Sequence, residues 1–263
     1  MAEITVNDHA FFYREEGTGD VALFVHGFPL DSTMWLEQID ELSDVRRCIA
    51  PDMRGFGHSA PAIRPVITME EHADDLAAML DAWGVDQIDL VGLSMGGYIA
   101  LAFAERHPER LRTLALVDTK SIADSDEAKA GRVAAAERVA SEGRGGLATD
   151  MIGVLVADSA SAWTRARLRT MIEATPVETI VAAFEGMRLR PDRTSVLSGL
   201  TIPVGVIVGE HDALSPLIDA DQMAVAAGAA LTVVPDAGHM APIEDPATVA
   251  RALRTLWSGD SRG

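Results

Sequence analysis

The stretch "LVGLSMGG", residues 90–97, places a single serine between an apolar run and a segment with helical spacing. Its centre fits the pattern G-x-S-x-G, with Gly92 and Gly96 on either side of Ser94. A serine at a sharp turn from strand to helix is held in a sparsely populated backbone conformation that exposes its hydroxyl, and the glycines let strand and helix approach closely. The stretch therefore predicts either a nucleophilic serine or a glycine-rich turn that only packs tightly.

The residues on both sides of this stretch alternate between strand and helix patterns. Eight segments have the apolar or alternating pattern of strands: 4–8, 10–16, 20–27, 46–52, 87–93, 111–118, 202–212 and 230–239. Helical spacing fills most of the intervals: 32–43, 68–84, 95–108, 216–228 and 245–257. Such alternation indicates right-handed crossovers and a parallel sheet covered on both faces, preceded here by two antiparallel strands. We expect an α/β fold with a mostly parallel, eight-stranded sheet.

The alternation stops between residues 119 and 194. This segment is rich in helix formers and is interrupted at "EGRGG", "ADSAS" and "ATPVE", so it predicts three or four helices. We expect a core made of residues 1–118 and 195–263, with a helical cap, 119–194, inserted over the carboxyl edge of the sheet. Residues 258–263 are expected to form a frayed tail.

A serine nucleophile needs a base, and the base needs an orienting carboxylate. Of the seven histidines, His239 is placed best, since it follows the last predicted strand and precedes the last helix. Asp212 follows the preceding strand at the same sheet edge, and Asp118 is an alternative acid at another strand end. We prefer Asp212 because Asp118 stands where the predicted cap begins, and an aspartate there can serve as a turn or capping residue. The order Ser94, Asp212, His239 is typical of this architecture.

Acyl transfer also needs hydrogen-bond donors for the oxyanion. The backbone N–H of Met95, directly after the serine, and that of Phe28, in the loop "VHGFPL", are the candidates. His26 is expected to brace this loop through side-chain hydrogen bonds. His72 and His107 lie in predicted helices and are expected at the surface.

Charge and cysteine content exclude several classes of function. The chain has 22 basic and 40 acidic residues, a formal charge of −18, which repels nucleic acid and anionic membrane surfaces. Cys48 is the only cysteine, so an intramolecular disulfide and a cysteine-rich metal site are excluded. Neither a signal-peptide pattern nor a membrane-spanning apolar run occurs in the sequence, and we expect a cytoplasmic protein. A homo-oligomer is compatible with the sequence.

Five motifs in order resemble those of the α/β-hydrolase superfamily. They are "HGFP" at 26–29, "DMRGFGHS" at 52–59, "GLSMGG" at 92–97, "GEHD" at 209–212 and "GH" at 238–239. Within this superfamily the chain is similar to small cap-bearing serine carboxylesterases, a group that includes 3-oxoadipate enol-lactonases and cofactor-free haloperoxidase-like esterases. Dehalogenases and epoxide hydrolases of the same fold carry an aspartate at the position that Ser94 occupies here, so the serine argues against both classes.

The resemblance implies a role for each candidate residue. Ser94 is the nucleophile, Asp212 the acid, His239 the base, and Phe28 and Met95 the oxyanion donors. It implies a two-step hydrolysis of a small to medium, apolar ester or lactone through an acyl-enzyme, without a metal or an organic cofactor. The alternatives are hydrolysis of a carbon–carbon bond or an amide, and a slow-turnover ligand receptor on the same fold.

The cap is the part of the chain that the resemblance constrains least. Its methionines and aromatic residues are candidates for the lining of an apolar acyl pocket, although helical spacing of methionine is also typical of simple core packing. The residues in question are Met151, Trp163, Met171, Phe184 and Met187.

Overall fold

The computed structural model describes residues 1–259. Residues 260–263, the greater part of the predicted frayed tail, lie outside the described residues. The last helix continues to Ser258, the first residue of that predicted tail.

The centre of the protein is one eight-stranded sheet in the order β1-β2-β4-β3-β5-β6-β7-β8. Its strands are β1 Ala2–Val6, β2 His9–Glu16, β3 Val21–Val25, β4 Arg47–Pro51, β5 Ile88–Leu93, β6 Leu111–Val117, β7 Val204–Gly209 and β8 Ala230–Val234. Strand β2 pairs antiparallel with β1 and with β4, whereas the remaining pairs are parallel. The predicted α/β fold with a mostly parallel, eight-stranded sheet is confirmed.

Helices cover this sheet because its central strands are apolar on both sides. Every residue of β3 and of β5 is buried, as expected for parallel strands between two helical layers. Outside the segment between β6 and β7, the helices are α1 Leu36–Leu42, preceded by a 3₁₀ turn at Ser32–Trp35, α2 Met69–Trp83, α3 Met95–Arg106, α9 Leu217–Ala227, α10 Ala241–Glu244 and α11 Pro246–Ser258. Helix α2 packs on α3, and α1 packs on α11.

Between β6 and β7 the chain forms helices only. They are α4 Asp126–Glu142, α5 Arg144–Leu155, α6 Ala162–Ala174, α7 Val177–Leu189 and the short α8 Thr194–Gly199. The first four, which we call the helical insert, are separated at the three breaks that the sequence predicts. Helix α4 packs on α7, and α5 packs on α6. The division of the chain into a core and a cap at 119–194 stays a prediction.

One sequence expectation about α2 is wrong. His72 is fully buried, not at the surface. The reason is helical periodicity: His72 lies three residues after Met69 and four before Leu76, both of which are buried, so it shares their inward-facing stripe. His107, by contrast, is partly exposed just after α3, where its Nε2 lies 2.9 Å from a carboxylate oxygen of Asp74.

Candidate active site

Ser94 occupies a strained turn between β5 and α3. Its backbone has φ 55° and ψ −113°, in a region that non-glycine residues rarely adopt. The neighbouring strand holds it there: the Ser94 N–H donates to the Val117 carbonyl at 3.0 Å, and the Thr119 hydroxyl donates to the Ser94 carbonyl at 2.8 Å. The turn therefore has the geometry that the motif predicts, and these hydrogen bonds hold the strained backbone of Ser94 in place.

The glycines of this turn are required by close backbone approach. A Cβ on Gly92 would collide with the carbonyl of Gly96, and a Cβ on Gly96 would collide with the carbonyl of Val25 in β3. Neither glycine has a positive φ, so the missing side chain is what matters, and not conformational freedom. These two residues let β5, α3 and β3 meet directly beneath the serine.

His239 and Asp212 are brought together, as predicted, at the ends of β8 and β7. The His239 Nδ1 lies 2.8 Å from Asp212 Oδ2, and the two residues are only 2% and 5% exposed. Asp212 Oδ1 accepts the N–H groups of Leu214 and Ser215 at 2.8 and 2.9 Å, which fixes the carboxylate in place. Because a carboxylate accepts, Nδ1 carries the hydrogen and Nε2 is left as the basic nitrogen.

Asp118, the alternative acid, has a different set of partners. Its two carboxyl oxygens accept the N–H of Gly209 at 2.7 Å and that of Ala241 at 3.2 Å. Complete burial, and then the negative charge of Asp212, raise the pKa of Asp118 well above its ordinary value. Asp118 therefore ties the end of β7 to the segment that follows His239, and the geometry favours Asp212 as the carboxylate that orients the histidine.

The two predicted oxyanion donors lie at the ends of neighbouring strands. Met95 is the first residue of α3, so its N–H has no carbonyl partner one turn earlier in that helix. Phe28 lies in the turn after β3, whose internal hydrogen bond runs from the Leu30 N–H to the Gly27 carbonyl and leaves the Phe28 N–H out. Strands β3 and β5 are adjacent and parallel, so their carboxyl ends lie side by side.

The prediction that His26 braces this loop is confirmed. Its Nδ1 lies 2.9 Å from the Gly27 carbonyl, and its Nε2 accepts the Met53 N–H at 3.0 Å. Burial lowers the pKa of His26, which keeps the ring neutral and able to accept at Nε2. The loop "HGFP" is thus joined to the loop "DMRGFGHS". A buried ion pair between Arg54 and Asp75, 2.6 Å apart, anchors the second loop to α2.

A cavity of about 230 Å³ lies next to Ser94. Ser94, His239 and Phe28 line it from the core, and the helical insert supplies much of the remaining wall. Among the predicted lining residues Met151, Phe184 and Met187 are present. Trp163 and Met171 instead line a separate surface groove beside Asp31 and Thr33. For Met171, which is buried in the hydrophobic core, the alternative of simple core packing holds. Both residues lie on α6, and they face the 3₁₀ turn at Ser32–Trp35.

Comparison with known proteins agrees with this geometry. Residues 21–246 match the family described as alpha/beta hydrolase fold. The chain belongs to the alpha/beta hydrolase fold family. An esterase structure from Thermogutta terrifontis, malate bound, is 42% identical, with a TM-score of 0.94 over 99% of this chain and 98% of that one. The enol-lactonase of Burkholderia xenovorans LB400 is 26% identical, with a TM-score of 0.89 over 98% and 100% of the two chains.

Likeness to curated relatives of this alpha/beta hydrolase is more local. A 2-hydroxymuconate semialdehyde hydrolase from Pseudomonas sp. strain CF600 is 39% identical over 112 residues, 41% of this chain and 40% of that protein. The chain spans less than two thirds of the length of the curated relatives it first matches. Within residues 1–259, no helix combines the length and apolar character that crossing a membrane requires.

Two basic residues of the cavity are absent from the site residues that the sequence predicts. Lys120 and Arg132 both line it. Lys120 is placed by the fold, since it follows the carboxyl end of β6 by three residues, and that position was a usable signal. Arg132 lies on α4, and nothing in the sequence indicates which face of that helix meets the core.

One group of side chains within residues 1–259 has ligand atoms close enough to hold a metal ion. It consists of Glu210 and His211, in the loop that carries Asp212, and of Asp236, in the loop after β8; all three are exposed. Exposed acidic groups are common on a chain of this charge, and no second feature of the structure points to a cation there.

Proposed function

We propose that this alpha/beta hydrolase is a serine hydrolase that cleaves carboxylic esters or lactones of small to medium, apolar substrates through an acyl-enzyme. The observation that carries the proposal is the buried pair of His239 and Asp212, 2.8 Å apart, on a cavity that also contains the strained Ser94. Similarity to a thermophilic esterase and to an enol-lactonase over nearly the whole chain supports the same class of reaction.

The first step of the proposed mechanism forms the acyl-enzyme. Nε2 of His239 takes the hydroxyl proton of Ser94 while the serine oxygen attacks the carbonyl carbon of the substrate. Asp212 stabilises the resulting imidazolium through the Nδ1–H. The N–H groups of Phe28 and Met95 stabilise the negative charge that develops on the carbonyl oxygen. The tetrahedral intermediate collapses, the C–O bond to the alcohol breaks, and the histidine returns its proton to the leaving alkoxide.

The second step releases the acid. His239 now takes a proton from water, whose oxygen attacks the acyl carbon and forms a second tetrahedral intermediate at the same oxyanion donors. Collapse of this intermediate breaks the bond to Ser94, and the imidazolium returns the proton to the serine oxygen. Every proton in this cycle passes through Nε2, so the Asp212 contact that fixes the ring tautomer supports both steps.

The dimensions of the cavity favour a small acyl group. Its volume of about 230 Å³ is below the range of about 300–1,000 Å³ that is usual for ligand pockets. Leu147, Met151 and Phe184 of the helical insert contribute apolar surface to its wall. A short aliphatic acyl chain matches these walls and displaces water from them.

A steady-state assay with p-nitrophenyl esters of short fatty acids tests the proposal. We expect turnover by the wild type, and loss of about 10⁴-fold or more in kcat for Ser94→Ala, because the nucleophile is removed. A fluorophosphonate should add once to the wild type, and peptide mapping should place the adduct on Ser94. Ser59→Ala, which alters another buried serine, is the matched control and should still be labelled.

Two outcomes would contradict the proposal. An absence of any adduct in intact-mass spectra of the folded wild type would remove Ser94 from the role of nucleophile. Ligand-induced thermal shifts with esters, without turnover of any of them, would instead favour the receptor alternative.

The similarity to a 2-hydroxymuconate semialdehyde hydrolase over 41% of the chain supports a second candidate, hydrolysis of a carbon–carbon bond at the same residues. The same purified protein, assayed in parallel with 2-hydroxymuconate semialdehyde and with p-nitrophenyl butyrate, separates the two candidates. A kcat/KM that is higher for the semialdehyde would favour the second.

A further inference from the structure

The cavity above Ser94 contains a concentration of positive charge that the proposed mechanism does not use. Lys120 and Arg132 line it, and no aspartate or glutamate of residues 1–259 does. This distribution is opposite to that of the whole chain, in which 40 acidic residues outnumber 22 basic ones. Two cations in a wall that is otherwise mostly apolar and holds no carboxylate of residues 1–259 need an explanation at this position.

The charge of Arg132 is only partly compensated. Its Nε lies against Asp124, but the same carboxylate also binds Arg190, with 2.9 Å between Asp124 Oδ1 and an Arg190 Nη. Burial of Asp124 raises its pKa, yet hydrogen bonds and charge from Arg190 and Arg132 outweigh this effect and lower the pKa to about 2. Two guanidinium groups thus share one carboxylate, and this cluster keeps one net positive charge.

Lys120 adds a second uncompensated charge. It is half-buried, and no carboxylate of residues 1–259 forms an ion pair with it. Its position is fixed by the preceding residue, Thr119, whose hydroxyl donates to the carbonyl of Ser94 at 2.8 Å. The lysine therefore leaves the sheet beside the proposed nucleophile and lines the cavity there.

Arg132 reaches the cavity from the helical insert, on α4. Among residues 1–259, the hydrogen-bond acceptor of its Nη1 is the thioether of Met187, at 3.5 Å, which is a weak acceptor. A guanidinium with a weakly satisfied donor edge and an ammonium without an ionic partner are together suited to bind a carboxylate. The apolar walls around them lower the local dielectric and strengthen that attraction.

We infer that Lys120 and Arg132 form an anion-binding subsite, which selects esters or lactones whose acyl chain ends in a carboxylate. The inference rests on the proposed function, and it names the substrate class of that site. The acyl chain lies along the apolar wall with its carbonyl at Ser94, and its terminal carboxylate pairs with the two cations. This inference replaces a wholly apolar substrate by one that is apolar in the middle and anionic at one end.

A pair of chromogenic esters tests the subsite through specificity. The mono-p-nitrophenyl ester of succinic acid carries a terminal carboxylate, whereas p-nitrophenyl butyrate has the same number of acyl carbons and no charge. We expect the wild type to prefer the succinate ester in kcat/KM, and Lys120→Gln to reduce the ratio of the two kcat/KM values about tenfold, or about 1.4 kcal/mol. Lys120→Arg should keep most of the ratio, because it keeps the charge.

The chain offers matched controls for both cations. Lys129→Gln alters the other lysine, which is half-buried on α4 and does not line the cavity, and Arg138→Gln alters an exposed arginine of the same helix. Both variants change the net charge as the subsite variants do. Because neither residue lines the cavity, we expect both variants to keep the wild-type ratio of the two kcat/KM values. Arg132→Gln should lower it as Lys120→Gln does. Equal ratios in the wild type, Lys120→Gln and Arg132→Gln would overturn the inference while leaving ester hydrolysis intact.

A binding measurement keeps the inference testable if neither ester is hydrolysed. Ser94→Ala, titrated calorimetrically with monomethyl succinate, should bind it at least tenfold more tightly than the double variant Ser94→Ala with Lys120→Gln does. Equal binding by the two proteins would refute the anion subsite even if the esterase assay is positive. Tenfold tighter binding together with inactive wild type would contradict the proposed hydrolysis and retain the subsite.

Discussion

Replacement of His72 by leucine should make the protein more resistant to acid. His72 is fully buried in α2, and neither ring nitrogen has a hydrogen-bond partner among residues 1–259. Burial, together with positive charge on neighbours that include Arg54, lowers its pKa from 6.5 to about 3. The folded protein therefore keeps the ring neutral at a pH at which the unfolded chain already binds a proton.

The sign and size of the effect follow from this difference. Since the folded pKa is lower than the unfolded one, the free energy of unfolding is unaffected above pH 6.5, falls as the pH drops below it, and stops falling near pH 3. At about 1.36 kcal/mol per pKa unit, the loss reaches about 2 kcal/mol at pH 5 and about 5 kcal/mol at its limit. His72→Leu removes the group that causes this loss and suits the apolar stripe that His72 occupies.

Urea denaturation at pH 8 and at pH 5 measures the effect. The difference in free energy of unfolding between His72→Leu and wild type should be about 2 kcal/mol larger at pH 5 than at pH 8. Other titrating groups, including the buried His26, are present in both proteins and cancel in the difference. His58→Leu, at an exposed position, is the control. A difference that is the same at both pH values within about 0.5 kcal/mol would refute the reasoning.

Three further predictions concern the candidate site and its support. Asp212→Asn should lower kcat for p-nitrophenyl butyrate by about 10³- to 10⁴-fold, because the histidine loses its orienting carboxylate; a larger loss in Asp118→Asn would move the acid to that residue. Gly96→Ala should lower the free energy of unfolding by about 2 kcal/mol or more, since its Cβ meets a backbone carbonyl of β3; a urea midpoint equal to that of the wild type would contradict this. Asp75→Ala should lower the free energy of unfolding by about 3–5 kcal/mol, because it leaves the guanidinium of Arg54 buried without its partner. For that variant, a loss below about 1 kcal/mol in urea denaturation would show that the pair contributes little.

The strand ends were the part of the site that sequence could predict. Ser94, Asp212 and His239 each follow an apolar strand, and the carboxyl ends of parallel strands meet at one edge of a sheet. The same reasoning located Phe28, after β3. Asp212 lies 118 positions after Ser94, and His239 lies 27 positions after Asp212. The pattern of apolar strands nevertheless places all three at the same edge of the sheet.

Residues on helices were harder to place. His72 lies in a predicted helix and is predicted at the surface, but its spacing from Met69 and Leu76 places it on the buried stripe. The five candidates for the pocket wall divided in the same way: three line the cavity, and the two on α6 face elsewhere. A helical pattern shows which residues share a face, whereas the neighbour that covers the face depends on how the helices pack.

Lys120 and Arg132 show how this limit bears on substrate specificity. The proposed nucleophile and its partners lie at the ends of strands, and the strands are readable in the sequence from their short-range apolar pattern. The residues that would contact the far end of the substrate come from the first turn after β6 and from α4, and their convergence depends on the Asp124 carboxylate that binds Arg132 and Arg190 together. In the proposed function, reaction type depends on the first set and substrate choice on the second. The sequence is therefore informative about the proposed chemistry, whereas the packing of the helical insert decides which charge the ligand site carries.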